Sequence, residues 1–116
     1  MKVTDALRRD LTAAEFSREL GYGFDLFVTV PSVLYILARH GHNAKEAVTR
    51  AVNDTVDNDS AGAIVGAAVG ALHGLSGLPD KWIEGLTGRT HEFDDGRVFE
   101  LILMAKKRFW PKLDAS

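Results

Sequence analysis

The chain has no cysteine among its 116 residues, which excludes disulfide bonds, thiolate nucleophiles and thiolate zinc sites. It also has no excess of one charge sign, because 14 basic residues oppose 16 acidic ones. Composition therefore gives no reason to expect a nucleic acid or an anionic membrane as a partner.

Long apolar runs are missing as well. The N-terminus lacks the apolar core of a signal peptide. The uncharged stretch 61–79 is dominated by glycine and alanine, whereas a spanning helix needs roughly 20 strongly apolar residues. We therefore expect a cytoplasmic protein with no membrane partner, and we expect this stretch to be a buried helix.

Helix-capping signals and apolar spacing predict an all-α fold of about five to six helices, in one compact domain over residues 1–116. Thr12 and Glu15 have the spacing of a capping box, so a helix is expected to begin there and to end at Gly21. A loop is predicted over residues 21–23, because two glycines around a tyrosine allow unusual backbone angles.

The next two helices follow from similar local signals. Pro31 suits the first turn of a helix that ends at Gly41. Backbone N–H groups in the first turn have no partner within the helix, so proline, which lacks an N–H, loses no hydrogen bond there. The β-friendly run 27–30 is expected to lead into that helix. Asn43 caps the following helix. Its inner face is predicted to consist of Ala47, Val48, Ala51 and Val52.

The C-terminal third also reads as helical. Pro79 is expected to begin a short helix that ends near Gly85 or Gly88. Residues 87–96 are polar and contain glycine, so they predict a loop, and a last helix is expected from about Arg97.

The sequence Asp57-Asn58-Asp59-Ser60 places two carboxylates and a hydroxyl within four residues. On a turn leading into a helix these oxygens can converge on one hard cation. The alternative is helix capping, because Asp and Ser are preferred N-caps and acids are favoured near a helix N-terminus. Capping accounts for Asp59 or Ser60 alone, but less well for the presence of Asp57 and Asp54 as well.

A glycine recurs at every fourth position after this turn, at Gly62, Gly66, Gly70 and Gly74. Glycine inside a helix costs about 1 kcal/mol relative to alanine, so a compensating interaction is expected. We predict that another helix packs closely against this glycine stripe, so that a Gly66→Leu substitution disrupts folding.

Other candidate sites are weaker. None of the four histidines has the HExxH spacing of a zinc site. Asp94-Asp95-Gly96 has the form of a turn before the last helix, and it is too short to be an EF-hand loop.

Residues 53–60, followed by AGAIVGAAVGALHG, resemble the C-terminal metal motif of the ADP-ribosylglycohydrolases, the family of the dinitrogenase reductase-activating glycohydrolases and the J-type crystallins. That motif has the form Asp-x-Asp-Ser/Thr before an alanine- and glycine-rich helix. Four flanking segments are also similar to the family, and the likeness covers about residues 18–103. These segments are Leu20-Gly21-Tyr22-Gly23, Val30-Pro31-Ser32, Leu78-Pro79-Asp80-Lys81-Trp82 and Gly88-Arg89-Thr90.

The resemblance implies an all-α protein that binds two Mg²⁺ ions, or Mn²⁺ in some cases, and hydrolyses an ADP-ribosyl bond of a modified protein or small molecule. By resemblance, Asp57, Asp59 and Ser60 are metal ligands. The loop Gly21-Tyr22-Gly23-Phe24 is expected near the bound ADP-ribose. The resemblance assigns no catalytic acid to this chain.

The chain departs from the family in one respect. Family enzymes are considerably longer, and their N-terminal Thr/Ser-Asp-Asp metal motif has no counterpart here. We therefore expect this chain to be the C-terminal portion, with weak metal binding, little or no hydrolysis alone, and either self-association or a complementary N-terminal half as partner. The alternative is a non-catalytic helical module that oligomerises.

Overall fold

A computed structural model of the protein describes residues 2–86 and 97–110. These residues form seven α-helices and one short 3-10 turn, and none of them lies in a β-strand. The prediction of an all-α fold is confirmed, with more helices than the five or six expected. The chain divides into two compact units, Met1–Leu78 and Pro79–Ser116.

Among the described residues, the first unit contains five helices and the 3-10 turn, and the second contains two helices. The five are α1 (Lys2–Arg8), α2 (Ala13–Leu20), α3 (Leu26–His40), α4 (Ala44–Asp54) and α5 (Asn58–His73), followed by the turn Leu75–Gly77. The second unit has α6 (Asp80–Leu86) and α7 (Arg97–Phe109). None of the helices within residues 2–86 and 97–110 is long and apolar enough to cross a bilayer.

Two predicted helix starts are confirmed by their hydrogen bonds. The Thr12 hydroxyl accepts from the Glu15 N–H at 3.2 Å, while the Glu15 carboxylate accepts from the Thr12 N–H at 2.8 Å. This reciprocal capping box satisfies two N–H groups at the start of α2. Asn43 caps α4 with a single bond, in which its side-chain oxygen accepts from the Glu46 N–H at 3.0 Å.

The predicted start of α3 is wrong. The helix begins at Leu26, so Pro31 lies inside it and the run 27–30 is helical. Asp25 is the N-cap, and its carboxylate accepts from the Val28 N–H at 3.1 Å. A strong cap six residues before the proline lets the helix begin early, although proline removes a hydrogen bond from the interior. The end of α3 is as predicted, with Gly41 as the C-cap.

The core of the first unit lies between α3, α4 and α5, with α1 and α2 against α3. Tyr35 on α3 is fully buried and packs its ring against Phe16 of α2, with ring centroids 4.7 Å apart. Its hydroxyl donates to the carbonyl oxygen of Leu11, which satisfies the one polar atom of a buried ring.

The contact of α4 with α5 uses small residues. Ala47 and Ala51 are fully buried, as predicted, and Val48 packs against the core. Val52 was also expected to face inward, but its side chain is 42% exposed. It lies at the edge of the interface beside Gly62, where an added Cβ would be 3.4 Å from its Cγ1.

The close packing predicted for the glycine stripe is wrong for the described residues. The buried stripe of α5 is Ala61, Val65 and Val69 instead, one residue before each glycine. A Cβ added at Gly66 or at Gly70 would meet no atom within 4 Å among the residues that the structure describes. Larger apolar side chains bury more surface than glycine does, so they occupy the core side of α5.

The second unit is described over α6 and α7. The helix expected after Pro79 and the helix expected from Arg97 are both present. The loop predicted for residues 87–96, with Gly88 and Asp94-Asp95-Gly96, lies outside the described residues.

Candidate functional site

Most of the acidic sequence 57–60 is helical and not a turn, because α5 already begins at Asn58. Asp59 and Ser60 therefore lie in the first helical turn, and Asp57 is the N-cap residue. Its side chain makes no capping hydrogen bond to the helix. Capping, the alternative interpretation of this acidic sequence, thus does not account for the carboxylate of Asp57.

The carboxylate of Asp57 is bound by a neighbouring helix instead. The hydroxyl of Thr29, on α3, donates to Oδ2 of Asp57 at 2.9 Å. Thr29 is only 5% exposed, so this bond is formed from a buried side chain. The contact joins residues that are 28 positions apart in the sequence and fixes the start of α5 against the start of α3.

The same carboxylate faces an open pocket of about 550 Å³. Its lining combines carboxylate and hydroxyl side chains with apolar and aromatic ones. The lining residues are Phe24, Asp25, Leu26, Phe27, Thr29, Asp57, Ser60 and Ile64. The pocket therefore offers carboxylate and hydroxyl oxygens beside an aromatic wall, and no basic side chain is among the residues that line it.

The structure brings some of the predicted site residues together and leaves others apart. Phe24 of the predicted substrate loop lines the pocket with Asp57 and Ser60. Gly21, Tyr22 and Gly23 form a loop as predicted but do not line it, and the Tyr22 side chain is 92% exposed. Gly21 has a φ of +93°, a left-handed value that glycine adopts without strain, so it ends α2 and starts this loop.

Asp59 is oriented differently from Asp57. Its Oδ1 accepts from the N–H of Ser60 at 2.9 Å, and its side chain is not among the pocket-lining groups. Within residues 2–86 and 97–110, no three His, Asp or Glu side chains are grouped closely enough to hold a metal ion. Of the three predicted ligands, Asp57 and Ser60 thus line the pocket and Asp59 does not, which leaves fewer ligands there than a cation normally takes.

The surroundings of Asp57 favour its charged form. Hydrogen bonds from the side chain of Ser60 and then from Thr29 lower the pKa of Asp57 below its ordinary value. Partial desolvation acts in the opposite direction but does not outweigh them. The group is therefore an ionised carboxylate at neutral pH, as a metal ligand must be.

Two of the histidines, His40 and His73, lie among residues that hold the fold together. Nε2 of His73 lies 2.7 Å from the carbonyl oxygen of Gly41, and burial lowers the pKa of His40. A second, smaller pocket of about 190 Å³ includes His40 with Arg39 and Arg50. Both of those guanidinium groups are in ion pairs, with Asp10 and with Glu46 and Asp54.

The residue that sequence reasoning missed is Thr29. It stands in the run 27–30, which looks β-friendly, and nothing in its local spacing connects it with Asp57. Thr29 follows the capping residue Asp25 by about one helical turn, but this spacing identifies no partner for the Thr29 hydroxyl.

The described residues thus form an all-helical fold in which Asp57, at the start of α5, lines a pocket. The chain belongs to the ADP-ribosylglycohydrolase family, whose sequence model matches residues 1–110. This match begins well before residue 18, where the recognisable motifs start, so the first helices also belong to the family pattern.

A curated relative gives a more specific likeness. The chain is 34% identical over 74 residues to the ADP-ribosylarginine hydrolase Tri1 of Pseudomonas putida (strain GB-1). The aligned part is 64% of this chain but 19% of that protein, so the chain corresponds to a minor part of the relative. No solved structure is significantly similar to the chain.

Proposed function

We propose that this chain is the metal-binding C-terminal portion of an enzyme that hydrolyses ADP-ribosyl bonds, with Asp57, Asp59 and Ser60 as ligands. The observation that carries the proposal is the carboxylate of Asp57, which faces a pocket and makes no capping bond to its own helix. Family membership supports the reaction class.

The donor set fits a hard divalent cation. Two carboxylates and a hydroxyl are oxygen ligands, which Mg²⁺ and Mn²⁺ prefer, and the low pKa of Asp57 keeps one of them charged. Three ligands make an incomplete site, which is consistent with further ligands from another part of the enzyme. A pair of such ions, when bound, stabilises negative charge and lowers the pKa of an attacking water.

The rest of the pocket suits a nucleotide sugar. Phe24 and Phe27 expose 80% and 87% of their surfaces, which gives aromatic faces beside the acidic group. Aromatic faces of this kind would stack on a purine ring, and a cation held by Asp57 and Ser60 would orient the ribose and diphosphate. The substrate class is therefore an ADP-ribosylated protein or small molecule. ADP-ribosyl-arginine is the first to test, because the relative is named for it.

Metal binding is tested by titrating the chain with Mn²⁺ in a calorimeter. We expect weak binding by the wild-type chain and no binding by the double variant that carries both Asp57→Asn and Asp59→Asn. The control variant Asp80→Asn, which removes a carboxylate from α6, should still bind. Equal Mn²⁺ affinity in all three proteins would refute the assigned ligands.

Hydrolysis is tested separately with ADP-ribosyl-arginine and Mg²⁺. We expect little turnover by the chain alone and measurable turnover when it is mixed with the part of the relative that lies outside the aligned segment. Turnover that the double asparagine variant supports equally well would place the chemistry elsewhere.

A second candidate is a helical module that self-associates without catalysis. The exposed side chains of Phe24, Leu26 and Phe27 favour it, because a contiguous apolar patch often marks an interface. Sedimentation should then show dimers that Phe27→Asp dissociates, while Leu75→Asp, at a position 68% exposed and outside the pocket, leaves them intact. A monomer at high concentration excludes this candidate.

A further inference from the structure

The hydroxyl of Thr29 has an unusual hydrogen-bond partner for a threonine in a helix. A serine or threonine inside a helix commonly donates to the carbonyl oxygen four residues earlier. Ser32 on α3 does so, to Val28 at 2.8 Å, and Thr55, the C-cap residue of α4, bonds in the same pattern to Ala51 at 2.6 Å. Thr29 instead donates across to Asp57 on another helix.

The position of Thr29 is itself well fixed. Its N–H donates to the carbonyl oxygen of Asp25 at 3.0 Å, within the capped first turn of α3. Its side chain is almost completely buried, and threonine has few rotamers in a helix. The hydroxyl therefore acts as a rigid donor whose location is set by the start of α3.

On its own helix, Asp57 lies near the Ser60 side chain, which also lowers its pKa. Asp57 is the N-cap residue of α5, yet its carboxylate makes no capping bond. An aspartate at a helix start that lacks this bond would otherwise sample several side-chain rotamers. The bond from Thr29 selects one of them, with Asp57 still facing the pocket.

We infer that Thr29 is a positioning residue that fixes the orientation of the Asp57 carboxylate in the pocket. The inference rests on the proposed function, because it matters for chemistry only if Asp57 is a ligand. It adds a residue on α3 to the site, so that the helix following the predicted substrate loop also determines where the cation-binding oxygens lie. Outer groups of this kind typically change metal affinity by about 10- to 100-fold.

The test uses three variants of the whole chain. Thr29→Val keeps the shape of the side chain and removes the hydroxyl, and Thr29→Ser keeps the hydroxyl. Ser32→Ala is the matched control, because it removes a buried hydroxyl from the same helix that bonds only within the helix. Three-bond NMR couplings to the Asp57 carboxyl carbon report its side-chain rotamer without any metal.

We expect one Asp57 rotamer in the wild-type chain, in Thr29→Ser and in Ser32→Ala, and rotamer averaging in Thr29→Val. A single unchanged rotamer in Thr29→Val overturns the inference. Should that variant fail to fold, the wild-type chain still decides: averaged couplings at Asp57, or a Thr29 hydroxyl proton that exchanges as fast as an exposed one, overturn it too.

A Mn²⁺ titration separates this inference from the proposed function. With a functioning site, Mn²⁺ broadens the Asp57 and Ser60 amide signals, and Thr29→Val needs about 10-fold more Mn²⁺ for the same effect. A fixed rotamer without any broadening by Mn²⁺ refutes the metal site and leaves the orienting role of Thr29 established. Broadening at equal Mn²⁺ concentration in both proteins refutes the contribution of Thr29 to metal binding.

Discussion

Nε2 of His73, at the end of α5, lies 2.7 Å from the carbonyl oxygen of Gly41, at the end of α3. A carbonyl oxygen only accepts hydrogen bonds, so Nε2 must carry the proton. This bond fixes the two helices at the ends opposite to the Thr29–Asp57 contact. The pair α3 and α5 is thus joined by a polar bond at both ends, with apolar side chains between them.

Removal of the His73 imidazole should destabilise the fold. We expect His73→Phe to lower the free energy of unfolding by about 1 kcal/mol, the usual net worth of such a bond. Urea denaturation measures this loss. His42→Phe is the control, because His42 is exposed at the neighbouring turn. Equal stability of the His73 variant and the wild-type chain would show that the bond contributes nothing.

Replacing glycines should have opposite effects at two positions. Gly66→Ala is expected to stabilise the chain by up to about 1 kcal/mol, because alanine favours the helix and its Cβ meets open space. Gly41→Ala should destabilise it, because the new Cβ would clash with the backbone carbonyl oxygen of Leu37. Thermal melts of both variants check this. A destabilised Gly66→Ala would instead support close packing on the glycine stripe.

The cap of α3 should affect the candidate site as well as stability. Asp25→Ala removes the acceptor for the Val28 N–H and is expected to cost about 1 kcal/mol. Because Thr29 belongs to the same first turn, its amide should also exchange hydrogen faster. Exchange measured by NMR decides the point, with the α4 cap variant Asn43→Ala as the comparison. Unchanged exchange at Thr29 would mean that the turn is held by tertiary packing alone.

The capping box of α2 should make stability depend on pH. Hydrogen bonds from the backbone and then the hydroxyl of Thr12 lower the pKa of Glu15 in the folded chain. A lowered folded pKa means that the stabilisation is complete above the unfolded value near 4.5 and is lost as the pH falls through the folded value. The glutamine of Glu15→Gln does not titrate. The wild-type chain should therefore lose more stability than this variant as the pH falls from about 5 to about 3. Parallel melting curves for the two proteins would contradict the assignment.

Local signals predicted much of the fold. The caps at Thr12 and Asn43 and the helix end at Gly41 depend on residues within one turn of each other, so the sequence alone identifies them. The start of α3 was missed because a proline and a β-branched run hid the capping role of Asp25.

The glycine stripe shows why the packing side of a helix is harder to predict. Ala61, Val65 and Val69 have the same four-residue spacing as Gly62, Gly66 and Gly70, displaced by one residue. Both stripes fit a helical period, and the choice between them depends on which neighbours are present. Burial of the larger side chains decided it here.

The sequence predicts the candidate ligands of the site but not the residue that contacts them from another helix. Asp57, Asp59 and Ser60 are neighbours in the chain, so their grouping follows from the sequence itself. The contact between Thr29 and Asp57 arises only from the packing of α3 against α5 and has no local signature.

That contact has a consequence for the order of folding. It closes a segment of 28 residues that contains most of α3 and all of α4. Closing such a loop has an entropic cost that must be met by contacts formed elsewhere. The Asp57 carboxylate therefore reaches its fixed orientation only when α3 and α5 have docked, so the side chain is ready for a ligand only in molecules that have formed this long-range contact.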